Sequence, residues 1–249
     1  MPKFATYPSL QDKRVLITGG ASGIGRDMVG AFIDQGAHVS FLDFDAEGSA
    51  KASAETGAVH KVVDLRDIPA MQAAIADLHA DGPFDVLVNN AARDDRHGWE
   101  QVTPAYWDER QATNLRHMFF AIQAIAPGMI EAAKGGSIIN MGSNSWWEKG
   151  GGMPSYTTAK AAVHGLTRGM ANDLGPHRIR VNTVVPGWIM TDRQKELWAT
   201  PEALEAHRAN QCLPDLIDPV YVTRMVLFLA SDDAAMCSAS NYMVEAGSI

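Results

Sequence analysis

The stretch Arg14-Val15-Leu16-Ile17-Thr18-Gly19-Gly20-Ala21-Ser22-Gly23-Ile24-Gly25 decides the fold. Its first five residues form a short apolar run rich in β-branched side chains, which reads as a buried strand. The glycines that follow permit conformations and close approaches that other residues do not. Residues 24–35 then carry apolar side chains at helical spacing (Ile24, Met28, Ala31, Phe32) and stop at Gly36. A strand, a glycine turn and a helix in succession place free N–H groups and a positive dipole end where a dinucleotide's phosphates can sit. The spacing here is Gly19-x3-Gly23-x-Gly25 rather than the commoner G-x-G-x-x-G. By itself such a turn can also be no more than a tight turn.

The same rhythm continues outward. Further strands are predicted over 38–42, 59–63, 85–88, 137–140, 179–184 and 242–244. Helices are predicted over 46–55, 68–80, 104–132 (broken near Pro127-Gly128), 154–174 and 219–230, with a helical insertion over 193–212. Strands separated by single helices require right-handed parallel crossovers. The fold class is therefore α/β, a doubly wound parallel sheet of about seven strands with helices on both faces. The 249 residues fit one domain, and no composition shift or repeat marks a second. Residues 13–190 read as the cofactor and catalytic core and 191–215 as a lid over the substrate, although a plain surface helix pair fits the latter too.

The formal net charge of −8 argues against a nucleic-acid surface or an anionic membrane as partner, both of which call for clustered Lys and Arg. No stretch approaches the ~20 apolar residues of a membrane span. Residues 1–13 contain Pro2 and Pro8 and no apolar run, so no secretory signal is expected. Cys212 and Cys237 lack metal-ligand spacing, and no metal is expected. Both read as free thiols of a cytoplasmic protein, with a single bridge between them as the alternative.

Asp43 ends the second strand about 20 residues past the glycine loop, where an acid can bond the adenine ribose hydroxyls and repel a 2′-phosphate. No Arg or Lys stands at Ser22 or Phe44, so NAD is favoured over NADP. Alternatively Asp43 caps the next helix, a task Asp45 could perform. Asp64 and Leu65 after the third strand are placed to meet the adenine, unless Asp64 is a helix cap like Asp67. Asn89-Asn90-Ala91 after the fourth strand could line the ribose, or be loop chemistry.

Tyr156 and Lys160 lie four apart in a helical segment and share one face. A free phenol titrates near 10, too high for a base at neutral pH. An adjacent ammonium lowers that value, and Tyr156 could then take a hydroxyl proton while hydride leaves the same carbon. Ser143, past the fifth strand, can hold the reacting oxygen. In isolation, a Tyr and Lys at this spacing are an amphipathic surface pair.

Taken in order, Thr18 to Gly25, Asn89-Asn90-Ala91, Asn114, Ser143, Tyr156-x3-Lys160 and Pro186-Gly187 resemble a short-chain dehydrogenase/reductase over nearly the whole chain. The resemblance implies a Rossmann-type fold, with Gly19, Ser22, Gly23, Ile24 and Gly25 on the cofactor. It implies that Asn114 completes a catalytic tetrad as part of a proton relay from Lys160, which also grips the nicotinamide ribose. It implies that Pro186, Gly187, Ile189 and Thr191 bracket the nicotinamide, and that the protein is a homotetramer built on the segments 104–132 and 154–174 and on the last strand. One departure is Ala92, where the family has glycine. If that position needs a positive φ, alanine costs about 1 kcal/mol.

Four stretches (94–97, 105–110, 114–118, 231–234) are similar to bacterial NAD-dependent sugar dehydrogenases of this family, of the D-xylose, galactose and arabinose types. That implies oxidation of an aldose at C1 to a lactone. Trp146, Trp147 and Trp188 could offer aromatic faces to a sugar, or be packing or subunit-interface residues. Asp94, His97, Asn144 and Ser145 could bond its hydroxyls, with Arg193 in the lid. Two other readings stand: oxidation of an internal hydroxyl of a sugar acid such as a 2-keto-3-deoxy acid, with Arg93, Arg96, Lys149 or Arg193 on its carboxylate, and a NAD-binding redox sensor without turnover.

Overall fold

Strand β1 (Arg14–Thr18) leads to α1 (Gly23–Asp34), β2 (His38–Asp43) to α2 (Ala46–Thr56), and β3 (Val59–Val62) to α3 (Ile68–His79). β4 (Val86–Asn89) leads to α4 (Pro104–Gln111) and α5 (His117–Ala132), and β5 (Gly136–Met141) to α6 (Pro154–Leu174). After β6 (Ile179–Pro186) come the short pair α7 (Asp192–Leu197) and α8 (Pro201–Ala209), then α9 (Pro219–Ala230) and β7 (Asn241–Val244). This is a computed structural model describing residues 4–249; the part of the expectation for residues 1–13 that falls on 1–3 lies outside the described residues.

The seven strands form one parallel sheet in the order β3-β2-β1-β4-β5-β6-β7. This is the predicted single-domain, Rossmann-type α/β architecture. Alternate residues of β1 serve opposite cores. Val15 and Ile17 pack with Met28 and Phe32 of α1 and Val222 and Val226 of α9, and Leu16 packs with Ile75 of α3 and Ile122 and Ile125 of α5. Burial on both faces is why the strand reads as a continuous apolar run. Strand order reverses between β1 and β4, which opens a crevice at the carboxyl ends of the strands.

A row of polar side chains crosses the sheet just below that crevice. Asn89 pairs in register with Asn140, and Asn140 with Thr183. Asn89 Nδ2 donates to Asn140 Oδ1 (2.9 Å), Asn140 Nδ2 to Thr167 Oγ1 (3.0 Å), and the Thr167 and Thr183 hydroxyls share a bond of 2.7 Å. Thr167 is on α6, so this buried network fixes that helix against the sheet at a defined rotation.

The helix expected to break near Pro127 does not. α5 runs through Pro127 to Ala132. An interior proline costs about 3 kcal/mol, but Ile122, Ile125, Ala126 and Met129 around it are buried against α3 and β5, and that packing holds the helix. The irregularity lies earlier, in a π-helical stretch over Ala112–Arg116 that contains Asn114. Such stretches are frequent at functional sites. Both cysteines are free. No helix among the described residues is long and apolar enough to cross a membrane.

Candidate active site

A cavity of about 910 Å³ occupies the crevice. Its floor is the β1–α1 turn. Gly25 lies so close to Gly19 that an added Cβ would sit 1.8 Å from the Gly19 carbonyl oxygen, and Gly19 has φ +74°. The sequence demands glycine here because backbone packs on backbone. The turn is tied to the next strand end: Asn90 Nδ2 donates to the Thr18 and Gly19 carbonyls (3.0 Å each), and Thr18 Oγ1 accepts the N–H groups of Asn90 and Ala91 (3.0 and 3.1 Å). Side chains cap α2, α3, α4, α7 and α8 but not α1, α5, α6 or α9, and at α1 Ser22 leaves the first N–H groups uncapped where they meet the cavity. An uncapped helix start behind a backbone-tight glycine turn fits a pyrophosphate.

Asp43 does not cap α2; Asp45 does, accepting the Gly48 N–H at 3.0 Å. Asp43 instead accepts from the N–H groups of Ala21 and Asp45 (3.0 Å each), holding its carboxylate at the cavity wall. Asp67 caps α3, and Asp64 accepts from Arg66, which holds its carboxyl below the usual carboxylate range. Ser22, Gly23, Ile24, Leu65 and Ala91 line this half of the cavity, and Pro186, Gly187, Ile189 and Thr191 line the far wall. Ala92 does not adopt a positive φ, so alanine there carries no strain.

Ser143, Tyr156 and Lys160 meet beyond the end of β5 and face the same cavity. Ser143 Oγ donates to Ser145 Oγ (3.0 Å). Lys160 is 1% exposed, its Nζ donates to the Met141 carbonyl (2.7 Å) and lies 5.7 Å from the Tyr156 ring centroid. Burial pushes the Lys160 ammonium down to about 7. Tyr156 is half-buried at the cavity wall, and desolvation pushes its phenol up, with Asp94 adding to the rise and Ser143 and Arg96 opposing it. Desolvation thus outweighs the favourable groups around Tyr156, where the sequence pattern led us to expect a lowered value from Lys160. Next to Lys160, fully buried His117 donates from Nε2 to the Ala91 carbonyl (3.1 Å), and burial pushes it down to about 4.

Asn114 does not line the cavity. Its Oδ1 accepts the Arg93 N–H (2.8 Å) and its Nδ2 donates to the Arg110 carbonyl (3.0 Å), so it anchors the chain leaving β4. Asp94, Asn144, Trp188 and Arg193 line the substrate end; His97, Trp146 and Trp147 do not. Trp146 and Trp147 stack on each other at 3.9 Å and pack edge-on against His164 of α6, to which Trp146 Nε1 donates (3.1 Å). His97 bonds Tyr106 Oη (3.0 Å) and accepts the Ser155 N–H (3.3 Å), which makes it part of the framework.

The sequence reading did not single out an ion-pair chain along the rim: Asp64–Arg66 (2.6 Å), Arg66–Glu109 (2.8 Å), Glu109–Arg110, Arg110–Asp95 (2.5 Å), Asp95–Arg193 (2.7 Å) and Arg193–Asp94 (3.1 Å). Arg110 beside it holds Glu109 down to about 2. Burial works to raise Asp95, but bonds and charges from Arg193, Arg93 and Arg110 outweigh it. The runs Asp94-Asp95-Arg96 and Glu109-Arg110 were the available signal, and their pairing depends on the fold.

Residues 19–248 match a family profile described as enoyl-(acyl carrier protein) reductase. The D-xylose 1-dehydrogenase of Caulobacter vibrioides is 49% identical over 248 residues, 98% of both chains. A probable galactose dehydrogenase of Rhizobium meliloti is 45% identical over 97% of this chain and 96% of its own. A solved 3-oxoacyl-[acyl-carrier protein] reductase with bound NAD from Brucella melitensis superposes with a TM-score of 0.89 at 29% identity, covering 100% of this chain and 98% of that one.

Proposed function

The chain belongs to the short-chain dehydrogenase/reductase family, and on that premise we propose that it is a NAD-dependent sugar dehydrogenase that oxidises C1 of an aldose to the lactone. The observation that carries the reading is one cavity joining an uncapped helix start at Gly23 to Ser143, Tyr156 and Lys160. Gly19, Ser22, Gly23, Ile24 and Gly25 would hold the pyrophosphate of NAD. Asp43 would hold the adenine ribose, Asp64 and Leu65 the adenine, and Asn90, Ala91 and Lys160 the other ribose. Pro186, Gly187, Ile189 and Thr191 would hold the nicotinamide, which when bound accepts the hydride and brings a positive ring beside Tyr156.

Ser143 Oγ hydrogen-bonds the C1 oxygen and orients it. With its phenol ionised, as the positive nicotinamide ring would favour when bound, Tyr156 Oη takes the hydroxyl proton. Lys160, held near neutrality by burial, gains and loses a proton at the pH of turnover and passes it on from the phenol. Asn114 shapes the exit by fixing the Arg93 and Arg110 backbones.

Asp94, Asn144 and Trp188 meet the sugar. Arg193 is held by Asp94 and Asp95, so it is not free to meet a substrate carboxylate. We read residues 191–215 as a lid, and the assembly as a tetramer on α4–α5, α6 and β7, with Trp107 and Phe119 exposed on the first of these; light scattering at four protomer masses tests the latter. NAD reduction over a panel of aldoses, aldonic acids and keto-deoxy acids tests the whole. Turnover of aldoses is expected; turnover of acids alone overturns the aldose reading, and no turnover of any compound points to a sensor.

A further inference from the structure

Five consecutive residues after β4, 93–97, are each fixed by residues from other parts of the fold. Arg93 N–H is bound by Asn114. Asp94 accepts from Arg193 Nη1 (3.1 Å) and from Gln194 Nε2 (2.8 Å). Asp95 accepts from Arg110 (2.5 Å) and Arg193 (2.7 Å). Arg96 Nη1 donates to Met153 Sδ (3.0 Å), and its guanidinium lies 5.5 Å from the Trp198 ring centroid. His97 N–H donates to the Gly152 carbonyl (2.7 Å), and its Nε2 accepts the Ser155 N–H.

Besides Asn114 and Arg110, these anchors fall into two groups. Gly152, Met153 and Ser155 lead into the first turn of α6, directly before Tyr156. Arg193, Gln194 and Trp198 belong to α7 and the residue that ends it. The loop therefore spans from the lid to the helix that carries Tyr156. Asp94 and Arg96 face the cavity with Tyr156 and bring opposite charges to it. Arg96 forms no ion pair among the described residues, so its charge is not cancelled locally. Gln194 extends the fixation further, accepting from Trp188 Nε1 (2.7 Å) on the cavity wall.

We propose that residues 93–97 are a positioning loop for Tyr156, and that the lid, by fixing Asp94 and Arg96 through Arg193, Gln194 and Trp198, sets the pH range in which Tyr156 works as a base. This rests on the reading of Tyr156 as the base. The two charges act in opposite senses: Asp94 disfavours the phenolate and Arg96 favours it. The other charged groups around Tyr156 are accounted for. Lys160 approaches from its own helix, with His117 behind it from α5. Asp95 is paired with Arg193 and Arg110 and lies 3.7 Å from Arg93, and Asp192, Glu148 and His207 line the same cavity.

The test is the pH profile of kcat/KM for aldose oxidation in Asp94→Asn, Arg96→Met and Trp198→Ala. Asp94→Asn is expected to move the rising limb to lower pH by about one unit, and Arg96→Met to move it up by about as much. Trp198→Ala should move it up by less, because Arg96 loses its stack, and the double variant Asp94→Asn/Arg96→Met should return toward the parent. For a variant too slow for steady state, the pH dependence of the single-turnover rate reads the same limb. Limbs that coincide, or single-charge variants that shift in one direction, overturn the proposal. Tyr156→Phe is measured alongside. If it stays active, the base reading has failed; if it is dead and the limbs do not move, only the role of the loop has.

Discussion

From Gly19 to Asn90 the cavity wall is built on packed backbone: glycines in contact, strand ends, and the Asn90 amide bonding the Thr18 and Gly19 carbonyls of the neighbouring strand end. From Asp94 to Trp198 it is made of charged and aromatic side chains. Arg193 and Asp94 are 99 positions apart in sequence and joined by one ion pair. A wall of packed backbone tolerates no added atom, whereas half-exposed ion pairs are each worth only about 1 kcal/mol or less and can rearrange. The first half is built to hold one ligand rigidly. The second can vary its partner, and families with a common cofactor change substrate in such regions.

The sharpest break in that comparison is at the seam. Tyr156→Phe should lower kcat at least about a hundredfold while NAD affinity, followed by fluorescence titration, is kept; retention of more than a few per cent of activity removes Tyr156 as base. His117 also sits at the seam, against the Ala91 carbonyl. Its folded value near 4 lies below its unfolded value near 6.5, so between those pH values the unfolded chain binds the extra proton and stability falls as pH falls. That loss amounts to about 3 kcal/mol. His117→Gln should flatten the urea-unfolding stability between pH 6.5 and 4, and an unchanged slope assigns the loss elsewhere.

Within the rigid half, Gly25→Ala puts a methyl on the Gly19 carbonyl and should cost about 1–3 kcal/mol, read as a lower Tm and as NAD affinity weakened ten- to a hundredfold in calorimetric titration. Asp43→Ala should narrow the preference for NAD over NADP about tenfold, one charge interaction's worth; an unchanged ratio of kcat/KM refutes its ribose role. In the adaptable half, Arg193→Met should raise the aldose KM only about fivefold with kcat nearly kept, and an effect larger than that of Gly25→Ala would reverse the comparison.

The legibility of the two halves follows their construction. The β1–α1 turn, the order of elements and the seven-strand sheet were readable, because alternating burial and backbone contact leave a local pattern that only glycine or apolar residues satisfy. Trp146 and Trp147 misled, since an aromatic pair near Ser143 looks the same whether it faces the cavity or, as here, His164. The π-helical stretch around Asn114 left no mark in the sequence pattern, and Pro127 looked like a stronger breaker than it is.

The sequence by itself determined the cradle and brought Ser143, Tyr156 and Lys160 under suspicion, because the glycine turn is a local pattern, Tyr156 and Lys160 lie one helical turn apart, and Ser143 follows a strand end. Only the tertiary structure decided which charges surround Tyr156, which of the aspartates are caps, and which arginines are already spoken for. Ion pairs are made between distant segments, and nothing in the spacing of Asp94, Asp95, Arg96, Arg110 and Arg193 specifies which of them meet; that is fixed when the sheet order and the lid bring the segments together.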